Sequence, residues 1–563
     1  MIETEVLVCG GGPAGLTLAI DLGQRGIRTV VIDKLDKHGI HPKLERCNAR
    51  TMEIFRRLGI SEQIRAAGFP RDCPMDVFSI TRMVDPPVLH LPYGSVAELQ
   101  EDIASHNDGT RPLEPYQLIS QYTLDPLLRS VAEKTPNVTV LFSHEFISFE
   151  QDATGVTTQV RKHDGSLLQI RSAYLAGCDG GTSPLRKQLG IKLEGKGGIR
   201  HMKAALFRSD DLFERIPIGK GRHYHCISDS DYTSITVQDS TRHFRMNTLY
   251  KEGEDVEAKF RRYVGFDIQC ETLYTGEWKQ NLLCADKFGE GRVFIAGDAA
   301  HLVIPTGGLG MNTAVGDVID LSWKLWGTLQ GWGGPELLDS YLTERLQVGR
   351  RNVGASTVAS EGRAGWRSYY KPDITEDTPE GAETRRKVAE VADYEQRKTN
   401  EILGIELGYR YIDTPIIVHE EGQAPEPDSR QYTPTTWPGA RPPHVWLADG
   451  SALHDRLGSG YTLLRIGAAN SLPDTSAFEA AMRHTNAPFE VLDIDDAQAL
   501  AIYGFPLLLL RPDLHVAWRG DEPPADPSLV ATVVTGHRHE RVTLPERHPA
   551  AVGSTQQVAH PTV

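Results

Sequence analysis

Within its first 33 residues the chain changes hydrophobic period twice. Thr4 to Cys9 is a mostly apolar run that reads as a short buried strand, and it passes directly into Gly10-Gly11-Gly12-Pro13-Ala14-Gly15. Leu16, Ala19, Ile20 and Leu22 then recur at helical spacing until Gly26 stops the helix, and Arg28 to Ile32 form a second strand ending at Asp33. This pattern predicts a βαβ unit with an acid at its tip. Its glycines fit G-x-G-x-x-G: Gly10 for the tight turn, Gly12 for backbone approach to a pyrophosphate, and Gly15 for close helix–strand packing. The helix N-terminus offers free N–H groups to an anion, and Asp33 is placed to accept from a ribose 2′-OH. The unit predicts dinucleotide binding but does not separate FAD from NAD.

Further along, Met52, Ile54, Phe55 and Leu58 mark a helix with Gly59 as its stop, and short strand-like runs from Pro70 to Pro92 break at Pro86-Pro87. A helix is predicted over Leu124 to Glu133, a strand over Val138 to Phe142, and a hairpin turning on Asp164-Gly165. From about residue 181 to 284 the pattern becomes alternating, as in Arg222 to Ile227, Ser234 to Val237 and Phe244 to Leu249. That predicts a mostly antiparallel sheet, suited to a substrate platform. Alternation puts His223 and His225 on the face opposite Tyr224. Arg292 to Ala296 returns to parallel-strand character before Gly297-Asp298-Ala299-Ala300-His301, and helices follow from about Gly310 to 405. After a Pro-rich stretch over 424–443, Tyr461 to Ile466, Phe489 to Ile494, Phe505 to Arg511 and Leu514 to Trp518 predict a small α/β domain. The irregular Pro and His residues after His537 read as a flexible tail, not a metal site.

Composition narrows the function. A chain of 563 residues exceeds one core and predicts several domains. With 60 Lys+Arg against 75 Asp+Glu, the net charge of −15 gives nucleic-acid binding no support. All seven cysteines lie between Cys9 and Cys284 without a CxxC pair, arguing against a disulfide framework or zinc site and for a reducing compartment. The chain opens into a strand, and its longest late apolar run, Phe505 to Leu510, is too short to span a bilayer, so a cytoplasmic protein is expected.

Three motifs in one order carry a resemblance: the glycine run at 10–15; Cys178-Asp179-Gly180 with Ser183 and Arg186; and Gly297-Asp298 followed by Pro305, Gly307-Gly308, Gly310, Met311 and Asn312. Together they resemble the FAD-dependent aromatic hydroxylases, the single-component flavoprotein monooxygenases. Pro438-Gly439-Ala440-Arg441 and Leu510-Arg511-Pro512-Asp513 extend the likeness to the phenol-hydroxylase branch. The resemblance implies an α/β fold: a Rossmann-like FAD-binding domain (1–75, 110–182, 285–345) with an inserted antiparallel-sheet substrate domain (76–109, 183–284). A helical connector (346–405), a thioredoxin-like C-terminal domain (406–536) and a flexible tail (537–563) follow. That last domain holds no cysteine, which excludes redox work there and leaves a scaffold role, with a homodimer expected.

The implied reaction uses NADH or NADPH and O2 to hydroxylate a phenolic ring through a flavin C4a-hydroperoxide, without a metal. Implied FAD contacts are Gly10, Gly12, Ala14, Gly15, Asp33, Lys43, Arg50, Gln121, Asp179, Asp298, Pro305, Gly308, Gly310, Met311 and Asn312. Lys43 stands where many relatives carry Arg, keeping the charge but losing the planar fork. Glu45 is the expected base for the phenol, and Tyr224 is expected to face the substrate. A Baeyer–Villiger or epoxidising monooxygenase acting on a polycyclic substrate, and a catalytically silent flavin-binding partner protein, are the alternatives.

Overall fold

In a computed structural model of the chain, which describes residues 1–43, 46–228 and 231–545, the three motifs meet because three strands run parallel and end in register. The central sheet orders Gly289–Glu290, Val293–Ile295, Leu167–Gly177, Ile2–Cys9, Thr29–Asp33 and Val138–Phe142. Its members after the first edge pair in parallel. Cys9 is the register partner of both Gly177 and Ile32, and Gly177 partners Ile295. The chain therefore leaves the carboxyl edge of the sheet at Gly10, Cys178 and Ala296 side by side. In open α/β sheets this edge forms the ligand crevice. Backbone bonds stitch the exits together: Cys178 N donates to Cys9 O at 2.7 Å and Ala296 N to Gly177 O at 3.0 Å. Burial on both faces explains the apolar run in the first strand, with Val6, Leu7 and Val8 fully enclosed. The hairpin expected at Asp164-Gly165 forms between Gly155–Lys162 and Leu167–Gly177, with Gly165 at φ +81°.

The second sheet has seven strands, ordered Glu271–Lys279, His201–Arg208, His243–Leu249, Ser234–Val237, His223–Cys226, Val77–Ile80 and Leu89–Leu91. Every pair is antiparallel except His223–Cys226 with Val77–Ile80. The helix Leu309–Leu329 leads into the 33-residue helix Pro335–Arg367, and Pro379–Asn400 packs back against it.

The C-terminal sheet orders Phe489–Ile494, Tyr461–Ile466, Leu507–Leu510 and Val516–Gly520. Leu463, Leu507 and Leu509 pack on one face and Leu464, Leu508 and Leu510 on the other, so an unbroken leucine run is what this central strand requires. One expectation changes at the end of the chain. Val542–Leu544, assigned to the flexible tail, is a strand pairing in parallel with Val418–Glu420, since Val542 and Leu544 have apolar ground to cover. The rest of the expected tail, 546–563, lies outside the described residues. No helix among the described residues is long and apolar enough to cross a membrane.

Candidate active site

The crevice at the sheet edge encloses about 290 Å3 and is lined by Gly12, Ala14, Lys43, Gln121, Gly180, Asp298, Pro305, Gly308, Gly310 and Met311. Eight of the ten sit in or beside the motifs, and Lys43 and Gln121 come from elsewhere in the chain. The glycines divide the labour as their positions predict. Gly10 has φ +111°, and a Cβ there would strike the Cys178 carbonyl; a Cβ on Gly15 would strike the Gly10 carbonyl. A Cβ on Gly12 would meet no protein atom within 4 Å, because the free space on that side is the crevice. The first two glycines thus close the fold, and the third leaves room for a ligand.

Asp298 follows the strand Val293–Ile295 in a short 3-10 turn and opens into the crevice. Surrounding protein atoms desolvate its carboxyl enough to push it above the ordinary range, against the pull of His301 and Lys43. Such a group gains from a hydroxyl donor. Gly307 and Gly308, both at positive φ, turn the chain so that the helix Leu309–Leu329 points its N-terminus at the crevice. Lys43 and Gln121 close the opposite side, and Gln121 Nε2 is steadied by Asp125 at 3.0 Å.

Other expected residues stand behind the crevice wall. Both oxygens of Asp33 hold the turn, accepting from Gly11 N at 2.7 Å and Leu35 N at 2.8 Å. Asn312 joins the wall to the segment before the helix Ala49–Arg57, accepting from Asn48 N at 2.9 Å and donating to Arg46 O at 3.2 Å. Asp179 accepts from Leu185 N at 3.2 Å, while its Oδ1 is buried with no partner among the described residues. Burial raises its carboxyl as well.

Two expectations do not hold, and one falls outside the described residues. Arg50 points away from the crevice: Nη1 lies 3.4 Å from Glu53 and Nη2 donates to Asp513 O at 3.0 Å, against the C-terminal domain. The helix Ala49–Arg57 turns that face toward the C-terminal domain, where it is buried, because Met52 and Phe55 occupy the core on the other side. Tyr224 is fully buried in the apolar core of the second sheet, stacked on Phe78. Its hydroxyl donates to Gly219 O at 3.1 Å and accepts from Gly221 N at 3.0 Å. Glu45 lies outside the described residues.

The face opposite Tyr224 carries the second cavity, of about 90 Å3. Register sets two cross-strand rows on it: Arg245 opposite Thr236 and Thr236 opposite His223, then Asn247 opposite Ser234 and Ser234 opposite His225. Alternation sends Phe244, Met246, Ile235 and Tyr224 to the core behind. Tyr232, Trp278 and Trp366 supply aromatic walls. Arg245, Pro305 and Gly308 line both cavities, so the crevice and the second cavity meet there. Sequence reading missed Arg245. The available signal was a cation between Phe244 and Met246 on an alternating strand, which marks a polar cavity on that face.

Two family models match the chain: an FAD-binding domain over residues 3–356 and the aromatic-ring hydroxylase C-terminal domain over residues 435–535. The chain belongs to the FAD-dependent aromatic-ring hydroxylases. It is 31% identical to the FAD-dependent monooxygenase apdD of Emericella nidulans, covering 92% of this chain and 87% of that one. It is 30% identical to 4-methyl-5-nitrocatechol 5-monooxygenase of a Burkholderia species, over 94% and 96% of the two chains. Among solved structures, the rebeccamycin biosynthetic enzyme RebC with reduced flavin superposes with a TM-score of 0.86 at 32% identity, covering 95% of this chain and 99% of that one. This hydroxylase is therefore an FAD-dependent aromatic-ring monooxygenase, and its crevice fits the cofactor on its own terms. It has an open glycine on a helix N-terminus, a carboxyl group opening into the free space, and a second helix N-terminus lining it.

Proposed function

We propose that this hydroxylase uses NADH or NADPH and O2 to add a hydroxyl group to the ring of a phenolic substrate. One oxygen atom enters the ring and the other leaves as water, with the nicotinamide supplying two electrons. The junction at Arg245, Pro305 and Gly308 carries the reading, because it joins the cofactor crevice to a cavity with aromatic walls and polar rows. When bound, FAD supplies the redox chemistry that activates O2. Gly12 would take the pyrophosphate, Asp298 would accept from a ribityl hydroxyl, Lys43 and Gln121 would flank the cofactor, and the backbone from Gly308 to Met311 would hold the flavin ring.

The chain's own contribution to the ring chemistry is electrostatic. Arginines on the cavity wall favour the phenolate over the phenol, and a phenolate ring is more electron-rich. Burial holds His225 well below the ordinary imidazole range, assisted by Arg363, His223, Arg367 and Arg222. A neutral His225 at the wall can accept from a substrate hydroxyl. Glu45 remains the proposed base on the strength of the sequence. Consumption of NADH and NADPH against a panel of substituted phenols, with mass spectrometry of products, tests the reading. The expected result is stimulated oxidation with a product one oxygen heavier that carries a new ring hydroxyl; oxidation yielding only peroxide across the panel counts against it. Glu45→Gln should slow hydroxylation more than flavin reduction, and equal product yield across pH would remove Glu45 as the base.

A further inference from the structure

The second cavity is cationic along its length. Among the described residues five arginines line it, at 46, 200, 222, 245 and 363, against one acid, Glu395. Glu395 is held by Lys398 at 2.9 Å. Arg46 is matched by Glu406 at 3.2 Å. Arg200 is not matched in this way: Nη1 donates to Gln280 Oε1 at 3.1 Å and the guanidinium lies 4.4 Å from the centre of the Tyr232 ring, both neutral groups. It has no acidic partner among the described residues.

Position adds to charge. Arg245 faces Leu206 in the register of the sheet, and Arg200 immediately precedes the strand His201–Arg208. At about 3.3 Å per residue the two positions are separated by roughly 20 Å of strand. Arg245 borders the cofactor crevice and Arg200 does not, so Arg200 stands at the end of the wall remote from the reacting centre. Trp278 lies on the neighbouring edge strand Glu271–Lys279, where it pairs with Met202, at a register level between the two arginines. A planar guanidinium braced by neutral groups beside aromatic side chains recognises a carboxylate through its two parallel donors.

We propose that the substrate is an aromatic carboxylic acid whose carboxylate is bound by Arg200, with the ring to be hydroxylated lying toward Arg245 and the crevice. This rests on the ring-hydroxylation reading and names its substrate class. The wall would hold the acid group away from the reacting carbon, so Arg200 sets specificity and orientation and takes no part in proton transfer.

The test uses the FAD-loaded full chain and matched pairs of (hydroxyphenyl)naphthoic acids, long enough to span the wall between the two arginine side chains, and their methyl esters. Binding is read from flavin absorbance changes, and turnover from NAD(P)H oxidation with product mass. The acids should bind at least tenfold tighter than their esters. Arg200→Gln should collapse that ratio toward one at unchanged FAD content, and Arg200→Lys should restore part of it. Esters binding as well as acids, or Arg200→Gln keeping the full ratio, would overturn the assignment. Acid preference that depends on Arg200, with no hydroxylated product from any compound, would support the carboxylate site and remove the hydroxylation reading.

Discussion

Two regions of the molecule are rich in buried charge, and they use it oppositely. Between the flavin domain and the C-terminal domain, Arg511 reaches Asp513 at 2.6 Å and Glu344 at 2.7 Å, and Lys324 reaches Asp320 at 2.7 Å and Glu344 at 2.6 Å. These side chains are almost wholly enclosed. Two cations face three carboxylates there; burial, with Glu344 nearby, pushes Asp320 up, whereas Arg511 and Lys324 hold Glu344 down despite its burial. In the second cavity the same residue types line open space, and arginines outnumber acids. A buried charge with its partner in place fixes the position of an element. A half-buried cation bordering space without an acid beside it, as Arg200 does, selects what enters that space.

The interface network also bears on the site. Asp320 and Lys324 lie on the helix whose N-terminus faces the crevice. Asp317 on the same helix accepts from Arg345 at 2.8 Å and from Gly297 N at 3.1 Å, beside Asp298. The C-terminal domain, having no cysteine for redox work, thus anchors one end of the element whose other end meets the cofactor.

Replacing a member of each region should separate them. The largest effect is expected at the interface: Arg511→Met leaves Asp513 and Glu344 buried against fewer cations and should cost about 3–5 kcal/mol in urea unfolding. A loss below about 1 kcal/mol would break the comparison. The interface should also be the acid-sensitive region. Both ring nitrogens of His444 are buried without partners among the described residues, and burial holds the imidazole at about 4. The unfolded chain binds this proton near pH 6.5. His444 therefore leaves stability intact above that value and lowers it as pH falls toward 4, by about 2–3 kcal/mol. Melting temperatures from pH 7 to 4 should show a shallower decline in His444→Leu; an identical slope would exclude this histidine.

In the crevice the expected losses are of ligand affinity. Asp298→Ala should weaken FAD binding roughly ten- to a hundredfold, the range for a hydrogen bond to a charged group, with little change in unfolding of the flavin-free protein. Gly12→Ala should behave in the same way, whereas Gly15→Ala should destabilise the protein itself. Full flavin content in a stable Asp298→Ala variant would contradict the proposed contact. The smallest effect belongs to Tyr224→Phe, which removes bonds in the core of the second sheet and should cost about 1 kcal/mol with turnover retained. A large loss of turnover at unchanged stability would return Tyr224 to the site.

The hydrophobic pattern by itself determined the elements, and the glycine and acid motifs pointed to much of the crevice. Strands at Val138–Phe142, Tyr461–Ile466 and Phe489–Ile494 fall where periodicity places them, because local burial sets local period. Gly12 was legible from the spacing of the dinucleotide motif at a strand end and helix start, and Asp298, Gly310 and Met311 from the resemblance to the hydroxylases; all four line the crevice. Tertiary structure decided the rest. Tyr224 and His225 are neighbours on one strand, and alternation told their faces apart but not which face met the core; the packing of Phe78 and Ile235 settled that. Arg50 was drawn to Asp513, a residue 463 positions away, and Arg200, Arg245 and Arg363 reach one cavity from separate elements. Such contacts depend on how sheets and domains pack, and no periodicity along a single element carries that information.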